Sequence, residues 1–171
     1  MKNYLVCKEE QLELINLGME NHQQQSAKRV NIISLKVVRE KSFLYPKRRI
    51  TSPEDAYNLV KCFLVDVDRE YFLVICLDTK NQPTAINICH VGSLNASLVH
   101  PREVMKPAIL SNSASVIVAH NHPSLDPTPS KEDINVTKRL IEAGRIMGID
   151  ILDHIVVGGN KYVSLKEKRY I

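Results

Sequence analysis

Residues 115–123, which read Ser-Val-Ile-Val-Ala-His-Asn-His-Pro, join a short apolar segment to two histidines. The segment is rich in β-branched residues, which is typical of a buried strand. Because residues two apart on a strand share a face, His120 and His122 can point the same way from its carboxyl end. The stretch therefore predicts a buried strand that brings two imidazoles within reach of one metal ion.

Asp133, eleven residues beyond His122, could supply a third ligand. It follows Ser130, a good N-cap residue, and is therefore expected in the first turn of a helix. A carboxylate at that position can still direct an oxygen toward a nearby metal. Three protein ligands leave the fourth tetrahedral position to water, which is the arrangement of catalytic rather than structural zinc. The spacing predicts one Zn²⁺ per chain, bound by His120, His122 and Asp133.

Two other interpretations compete with this metal site. A single histidine near an apolar strand is more often a hydrogen-bonded residue than a ligand. Asp126 could also take the place of Asp133, although the prolines around Asp126 and the spacing of the other ligands favour Asp133.

Several classes of zinc enzyme are excluded by residues that the sequence lacks. Nucleobase deaminases need H-x-E followed by P-C-x-x-C, and no CxxC pair is formed by the four cysteines, Cys7, Cys62, Cys76 and Cys89. The H-E-x-x-H helix of common zinc metalloproteases is missing as well. Amidohydrolases that use HxH need a barrel of about 200 residues or more, which is too long for this chain of 171.

The pattern His120-x-His122, seven residues, Ser130, two residues, Asp133 resembles the JAMM motif of the JAB1/MPN metalloprotease superfamily. The flanking sequence is similar to the bacterial RadC family at Val91–Ser97, His100–Glu103, His120–Ser124, Asp126–Ser130, Glu132-Asp133 and Asp153–Ile155. The resemblance implies an α/β fold, a three-layer α-β-α sandwich with a mixed sheet like that of cytidine deaminases. It also implies a zinc-dependent hydrolase that cleaves an amide or isopeptide bond in a peptide or protein conjugate.

Two catalytic residues are implied by the same resemblance. The superfamily uses as general acid/base a glutamate near the start of a core strand, and Glu70 lies immediately before the apolar Tyr71–Leu77. Zinc lowers the pKa of a bound water, and a carboxylate in reach can take its proton and pass it to a leaving amine. Ser130 matches the serine that supports the tetrahedral intermediate. The alternative for Glu70 is an ordinary solvated acid in the charged cluster from Asp66 to Glu70.

Asp153 and His154 are a further acid and imidazole, placed just before the apolar Ile155–Val157. Metal-bound histidines usually donate their second N–H to such a partner. A hydrogen-bonded strand terminus is the other interpretation, and it is favoured here. Leu125 stands where the RadC loop normally has glycine, which could stiffen the lip of the cleft or leave an apolar contact for substrate.

Helices and strands are expected to alternate along the chain. A first helix is predicted to begin at Ser52 and to bury Ala56, Leu59, Val60 and Phe63. A second is predicted over Arg102–Leu110, with a kink or restart at Pro107. A third is predicted over Glu132–Met147. The last helix is expected to bury Ile134, Leu140, Ile141 and Met147 and to end at Gly148. Predicted strands are Tyr71–Leu77, Thr84–Cys89, Ile149–Leu152, Ile155–Val157 and Tyr162–Ser164.

The chain is expected to divide into an N-terminal extension, residues 1–46, and a RadC-like JAB1/MPN domain, residues 50–171. The extension should contain a helix within Glu9–Gln25 and could form a strand over Asn31–Val38. It lacks the glycine-rich turns of the helix-hairpin-helix DNA-binding unit found in full-length RadC proteins.

Composition indicates an ordinary cytoplasmic protein without a membrane span or signal peptide. The net charge of +4 is mild, and the clusters Lys28-Arg29 and Lys47-Arg48-Arg49 are typical of solvated surface, so nucleic-acid binding is expected to be weak or absent. The alternative function is a noncatalytic module associated with DNA repair, recombination or a mobile element. Its structural metal would be enclosed by a fourth protein ligand, such as Asp126 or His154.

Overall fold

The structure is a computed structural model that describes residues 29–92 and 99–171. The chain divides into two units, Met1–Leu35 and Lys36–Ile171. The helix expected within Glu9–Gln25 lies outside the described residues.

The strand that Asn31–Val38 could form is not present, since residues 29–45 contain neither helix nor strand. Ile33 and Val38 are 77% and 79% exposed. A strand needs a hydrogen-bonded neighbour to be stable in water, and in the described part of the chain the sheet pairs only strands that begin at Glu70 or later. A favourable composition alone therefore did not produce a strand here.

The described residues of the second unit, 36–92 and 99–171, form a five-stranded sheet and three helices. The strands are β1 (Glu70–Leu77), β2 (Pro83–Gly92), β3 (Ser115–Asn121), β4 (Asp150–Gly158) and β5 (Lys161–Ser164). The helices are α1 (Pro53–Leu64), α2 (Pro101–Leu110) and α3 (Lys131–Met147). The sheet order is β2-β1-β3-β4-β5. Only β3 and β4 pair in parallel, so the sheet is mixed, as expected.

Helices cover both faces of this sheet. Residues of α1 such as Leu59 and Val60 pack with Ile117 and Ala119 of β3 on one face. On the other face α2 and α3 pack with alternate residues of the same strands, such as Val118. The three-layer α-β-α sandwich is therefore confirmed. Among the described residues, no helix is both long and apolar enough to cross a membrane.

Strand β4 is continuous, whereas two separate strands were expected at Ile149–Leu152 and Ile155–Val157. Asp153 and His154 interrupt the apolar pattern, but both are buried with their polar groups hydrogen-bonded. The register against β3 passes from Ile151 directly to Asp153, so the strand contains an irregularity there without ending. Hydrogen bonding, which an apolar pattern does not record, keeps this strand intact.

The buried face of helix α3 only partly matches the one predicted. The buried residues are Asp133, Val136, Thr137, Leu140 and Gly144, whereas Met147 is 49% exposed. Two polar residues lie on the buried face because they bond to groups at the end of β3 and in β4, as described below. The prediction followed apolar residues only: it was right for Leu140, whereas Ile134 and Ile141 are partly buried, and it was wrong for Met147.

The ends and interior of the helices follow local rules more closely. Gly148 ends α3 with a φ of 68°, the left-handed conformation expected for a glycine after a helix. Helix α2 runs through Pro107 without a restart. Proline removes one backbone hydrogen bond at that point, and the burial of Val104 and Ala108 against the sheet offsets this loss.

Candidate metal centre

His120, His122 and Asp133 lie together at the carboxyl end of β3 and the N-terminus of α3. One ligand atom of each lies within 4.8 Å of the others. Nε2 of His120 is 2.9 Å from Nε2 of His122 and 3.3 Å from Oδ1 of Asp133, and Nε2 of His122 is 3.4 Å from Oδ2. With metal–ligand bonds of about 2.0–2.1 Å, the corners of a tetrahedral zinc site lie about 3.3 Å apart. These residues therefore could hold a zinc ion.

Strand alternation and backbone pairing place the two histidines. His120 continues the face of β3 that presents Val116 and Val118 to α2 and α3, and it is fully buried. The N–H of His122 donates to the carbonyl of Val157 at 2.8 Å, which extends the pairing of β3 with β4 by one residue. The two imidazoles therefore lie on the same face, as predicted.

A capping box at the start of α3 places the carboxylate. Oγ of Ser130 accepts the N–H of Asp133 at 3.1 Å, and Oδ2 of Asp133 accepts the N–H of Ser130 at 2.7 Å. The hydroxyl of Ser130 also donates to Oδ2 at 2.7 Å. Ser130 therefore caps the helix and fixes the orientation of the predicted ligand with the same side chain.

Both histidines are hydrogen-bonded through Nδ1, so that Nε2 of each ring faces the carboxylate of Asp133. Nδ1 of His122 donates to the backbone carbonyl of Asp126 at 2.8 Å. Nδ1 of His120 lies 2.7 Å from Nε2 of His154. A metal-bound histidine is usually held in this way through its second nitrogen, which fixes the tautomer and the direction of the ring.

The pKa shifts of the three side chains reflect their close contact. Burial, followed by the charge of His154, lowers the pKa of His120 well below its ordinary value. The hydrogen bond with Asp133 raises the pKa of His122 in spite of its partial burial. Burial raises the pKa of Asp133, but the hydrogen bond with His122 and the interaction with His120 outweigh it and hold this pKa below the ordinary value. Because α3 carries an ionised carboxylate here, the cluster has the negative charge that a cation requires.

Glu70 begins β1 on the same side of the sheet as the histidines. Phe72 pairs with His120 across β1 and β3, and this antiparallel register, continued by two residues, sets Glu70 opposite His122. Consistent with that placement, the charge of Glu70 contributes to the raised pKa of His122. Glu70 also lines a cleft of about 350 Å³ together with Asp68, Arg69, Gly92 and Pro123.

Three other residues singled out in the sequence, Asp126, Asp153 and His154, are not members of this cluster. The carboxylate of Asp126 accepts the hydroxyl and the N–H of Thr128 at 2.7 and 3.0 Å, so it bonds within its own loop. Asp153 accepts the hydroxyl of Ser164 at 2.6 Å and the N–H of Lys166 at 3.1 Å. His154, by contrast, reaches His120 from the middle of β4. The favoured interpretation of this pair as a strand terminus was therefore wrong, because both residues lie within β4.

Leu125 has a φ of 66° and a side chain that is 68% exposed. A Cβ on Gly158 would come within 2.6 Å of the Leu125 carbonyl and 2.5 Å of the Pro127 nitrogen. Only a glycine at 158 therefore lets this loop lie so close to β4. The loop that carries the Asp126 carbonyl is held against the sheet as a result.

Asn121 and Thr137 were not predicted from the sequence as residues of the site. Both are buried and both bond to groups of the site. Oδ1 of Asn121 accepts the N–H of Tyr71 at 2.8 Å, and its amide donates to the carbonyl of Arg69 at 3.0 Å. The available signals were the position of Asn121 between the two histidines and that of Thr137 one helical turn after Asp133.

A mixed-sheet sandwich with a His-His-Asp cluster at this edge defines a JAB-type domain, and comparison with known proteins agrees. The model of the RadC-like JAB domain matches residues 50–170, and this chain belongs to that family. A UPF0758 protein of Desulforamulus reducens is 58% identical over 122 residues, which are 71% of this chain and 54% of the relative. A UPF0758 protein of Methanosarcina barkeri is 52% identical over 126 residues, 74% of this chain and 55% of the relative.

A third relative, a UPF0758 protein of a Geobacillus species, is 56% identical over 122 residues, again 71% of this chain and 54% of the relative. The chain thus spans about half the length of the relatives it matches. The similarity establishes the family and the fold, and the names of these relatives state no activity.

Proposed function

We propose that this domain is a zinc-dependent hydrolase that cleaves an amide or isopeptide bond in a peptide or protein conjugate. His120, His122 and Asp133 would hold one zinc ion per chain. The observation that carries the proposal is the direction of both Nε2 atoms toward the Asp133 carboxylate, with both Nδ1 atoms bonded elsewhere. The JAB superfamily includes hydrolases, which makes this chemistry the natural one to test.

The candidate ligand set supports a catalytic rather than a structural metal. Among the described residues, the cluster contains three groups that could bind a metal. The two candidates for a fourth ligand are otherwise engaged, because the Asp126 carboxylate bonds to Thr128 and Nε2 of His154 faces Nδ1 of His120. A fourth tetrahedral position would then stay open to solvent and substrate.

The residues around the cluster have distinct roles in this proposal. When bound by His120, His122 and Asp133, zinc would supply Lewis acidity at this cluster. Glu70 accepts a proton from the attacking water and transfers it to the leaving amine. Ser130 orients Asp133 and is also our proposed support for the oxyanion that develops on the substrate, a role in which its one hydroxyl proton turns from Oδ2 of Asp133 to the substrate. The cleft beside Glu70, about 350 Å³ in volume, offers room for a peptide segment.

Metal content tests the ligand assignment. Purified protein should carry close to one zinc per chain by elemental analysis, and a His120→Ala, His122→Ala double variant should lose most of it. His100→Ala is the matched control, since His100 lies outside the cluster and its exposed imidazole accepts the N–H of Arg102 at the start of α2. Undiminished zinc in the double variant would contradict the proposal.

Glu70→Gln separates chemistry from metal binding. The amide keeps the size of the side chain and removes the proton acceptor, so zinc content should not change. Hydrolysis of peptide and isopeptide libraries should fall by about a hundredfold or more, the usual contribution of a general base. Asp68→Asn is the control, because Asp68 lines the same cleft, is 76% exposed and pairs with Arg69. Equal turnover in Glu70→Gln and the parent would assign proton transfer to another group.

Nucleic-acid binding is expected to be weak in this proposal. One member of the basic cluster, Lys47, is already paired with Asp55. Any binding should fall steeply with salt, because each phosphate contact releases counterions. A discrete complex at low micromolar protein and physiological ionic strength, in a mobility-shift titration, would favour the DNA-associated alternative instead.

A further inference from the structure

His154 connects one candidate ligand to the helix that carries another. Its Nε2 lies 2.7 Å from Nδ1 of His120, and its Nδ1 lies 2.6 Å from Oγ1 of Thr137. Oγ1 of Thr137 is in turn 2.6 Å from the backbone carbonyl of Asp133. The side chains of His120, His154 and Thr137 are all 0% exposed, so water does not take part in these bonds.

The hydrogen bonds that link Asp133, Thr137, His154 and His120 allow only one assignment of donors and acceptors. The carbonyl of Asp133 can only accept, so the single hydroxyl proton of Thr137 is donated to it. Oγ1 of Thr137 must then accept from Nδ1–H of His154. A neutral His154 with its proton on Nδ1 has an acceptor at Nε2, which requires Nδ1 of His120 to donate. The lone pair of His120 is left on Nε2, the atom that faces Asp133.

We propose that His154 and Thr137 are positioning residues of the metal centre, which act by fixing the tautomer and ring direction of His120. This inference rests on the proposed metal binding. The bonds link β3, β4 and α3 in a closed path, because Asp133 also lies 3.3 Å from Nε2 of His120. The ligand from the strand and the ligand from the helix are thereby held at one separation.

The acceptor for His120 is an uncharged imidazole. Metal-bound histidines often donate to a carboxylate, which makes the ligand more basic. Here the carboxylate of the neighbouring Asp153 is turned away to Ser164 and Lys166. His154 orients His120 without adding a second negative charge to that of Asp133, which preserves the Lewis acidity of a bound cation.

Thr137→Val and Thr137→Ser form the decisive pair of variants. Valine keeps the branched shape and removes the hydroxyl, whereas serine keeps the hydroxyl and removes a methyl group. We expect Thr137→Val to weaken Zn²⁺ affinity, measured by competition with a chromophoric chelator, by about tenfold to a hundredfold. Thr137→Ser should stay within a few fold of the parent. A side chain that acted only by packing would give the opposite order, and that order would overturn the proposal.

The tautomer of His120 can be observed without any substitution. Long-range ¹H–¹⁵N spectra of the metal-free protein should show the proton of His120 on Nδ1 and that of His154 on Nδ1. A proton on Nε2 of His120 would overturn the proposal even if a variant failed to fold.

The two proposals fail in different ways. Parent protein that takes up no zinc contradicts the metal site and, with it, the positioning role. Parent protein that binds zinc while Thr137→Val and Thr137→Ser bind it equally well contradicts the positioning role alone.

Discussion

The side chain of Asn121 holds the backbone on both sides of Glu70. Its Oδ1 accepts the N–H of Tyr71 at 2.8 Å, and its amide donates to the carbonyl of Arg69 at 3.0 Å. Asn121 is only 3% exposed, so these bonds are protected from water. The residue between the two candidate histidine ligands thus determines where the candidate acid/base lies relative to them.

Asn121→Ala should reduce hydrolysis while leaving most of the zinc in place. The substitution leaves the N–H of Tyr71 and the carbonyl of Arg69 without their partner, and a displacement of Glu70 by about 1 Å can lower the rate by up to about a hundredfold. Turnover and zinc content are measured on the same samples. Asn87→Ala, at an exposed position of β2, is the control. Unchanged turnover in Asn121→Ala would show that Glu70 is held by other contacts.

Ser130→Ala should lower both stability and zinc affinity. The loss of the helix cap costs about 1 kcal/mol in the free energy of unfolding, and Asp133 loses the hydroxyl that donates to Oδ2. Ser130→Thr keeps the hydroxyl and should behave like the parent. Denaturant unfolding with and without a chelator separates the two effects. If kcat falls in Ser130→Ala at saturating zinc, the oxyanion role is supported, and an unchanged kcat would limit Ser130 to orientation.

Leu125→Gly should stabilise the domain by about 1 kcal/mol. The φ of 66° is unfavourable for leucine and costs nothing for glycine, and this gain exceeds the added entropy of the unfolded chain. Leu125→Ala keeps the unfavourable φ and should show no gain, which makes it the matched control. Urea unfolding of the metal-free proteins measures the difference. A higher KM in both variants would in addition identify the exposed leucine as a substrate contact.

Asp55 should make the domain sensitive to acid. The hydrogen bond from Lys47, followed by that from the N–H of Thr51, holds the pKa of Asp55 below its usual range. An aspartate in the unfolded chain titrates near pH 3.9, at about its ordinary pKa. The stability that the ionised Asp55 adds is therefore complete above about pH 4 and is lost as the pH falls through the lower folded pKa.

Asp55→Asn should accordingly lower the free energy of unfolding by about 2 kcal/mol at neutral pH, the range for hydrogen bonds to a charged group. This loss of stability should shrink below pH 4. Thermal unfolding of the metal-free proteins across that range provides the measurement. Glu54→Gln, at an exposed position in the same helical turn, is the control. A deficit that stays constant down to pH 2 would assign the effect of Asp55 to shape rather than charge.

Local rules were enough to predict much of this protein from its sequence. The β-branched run before His120 forms β3, Ser130 caps α3 as expected, and Gly148 ends that helix in the left-handed conformation. Each of these features depends on residues within about one turn of helix or a few positions of strand, where side-chain shape and capping bonds decide the backbone. The metal-ligand spacing from His120 to Asp133 could be predicted because β3 and the cap of α3 are each set by such local rules.

The tertiary structure alone decided which distant polar groups meet. His154 and Thr137 are 34 and 17 residues from His120 along the chain, yet their bonds turn Asp133 and Thr137 of α3 toward the sheet in place of Ile134 and Met147. An apolar pattern ranks side chains by their transfer out of water and gives no weight to a buried polar group whose partner lies on another element. Burial of such groups is favourable only once β3, β4 and α3 have assembled around them, because only then do their hydrogen bonds replace those to water.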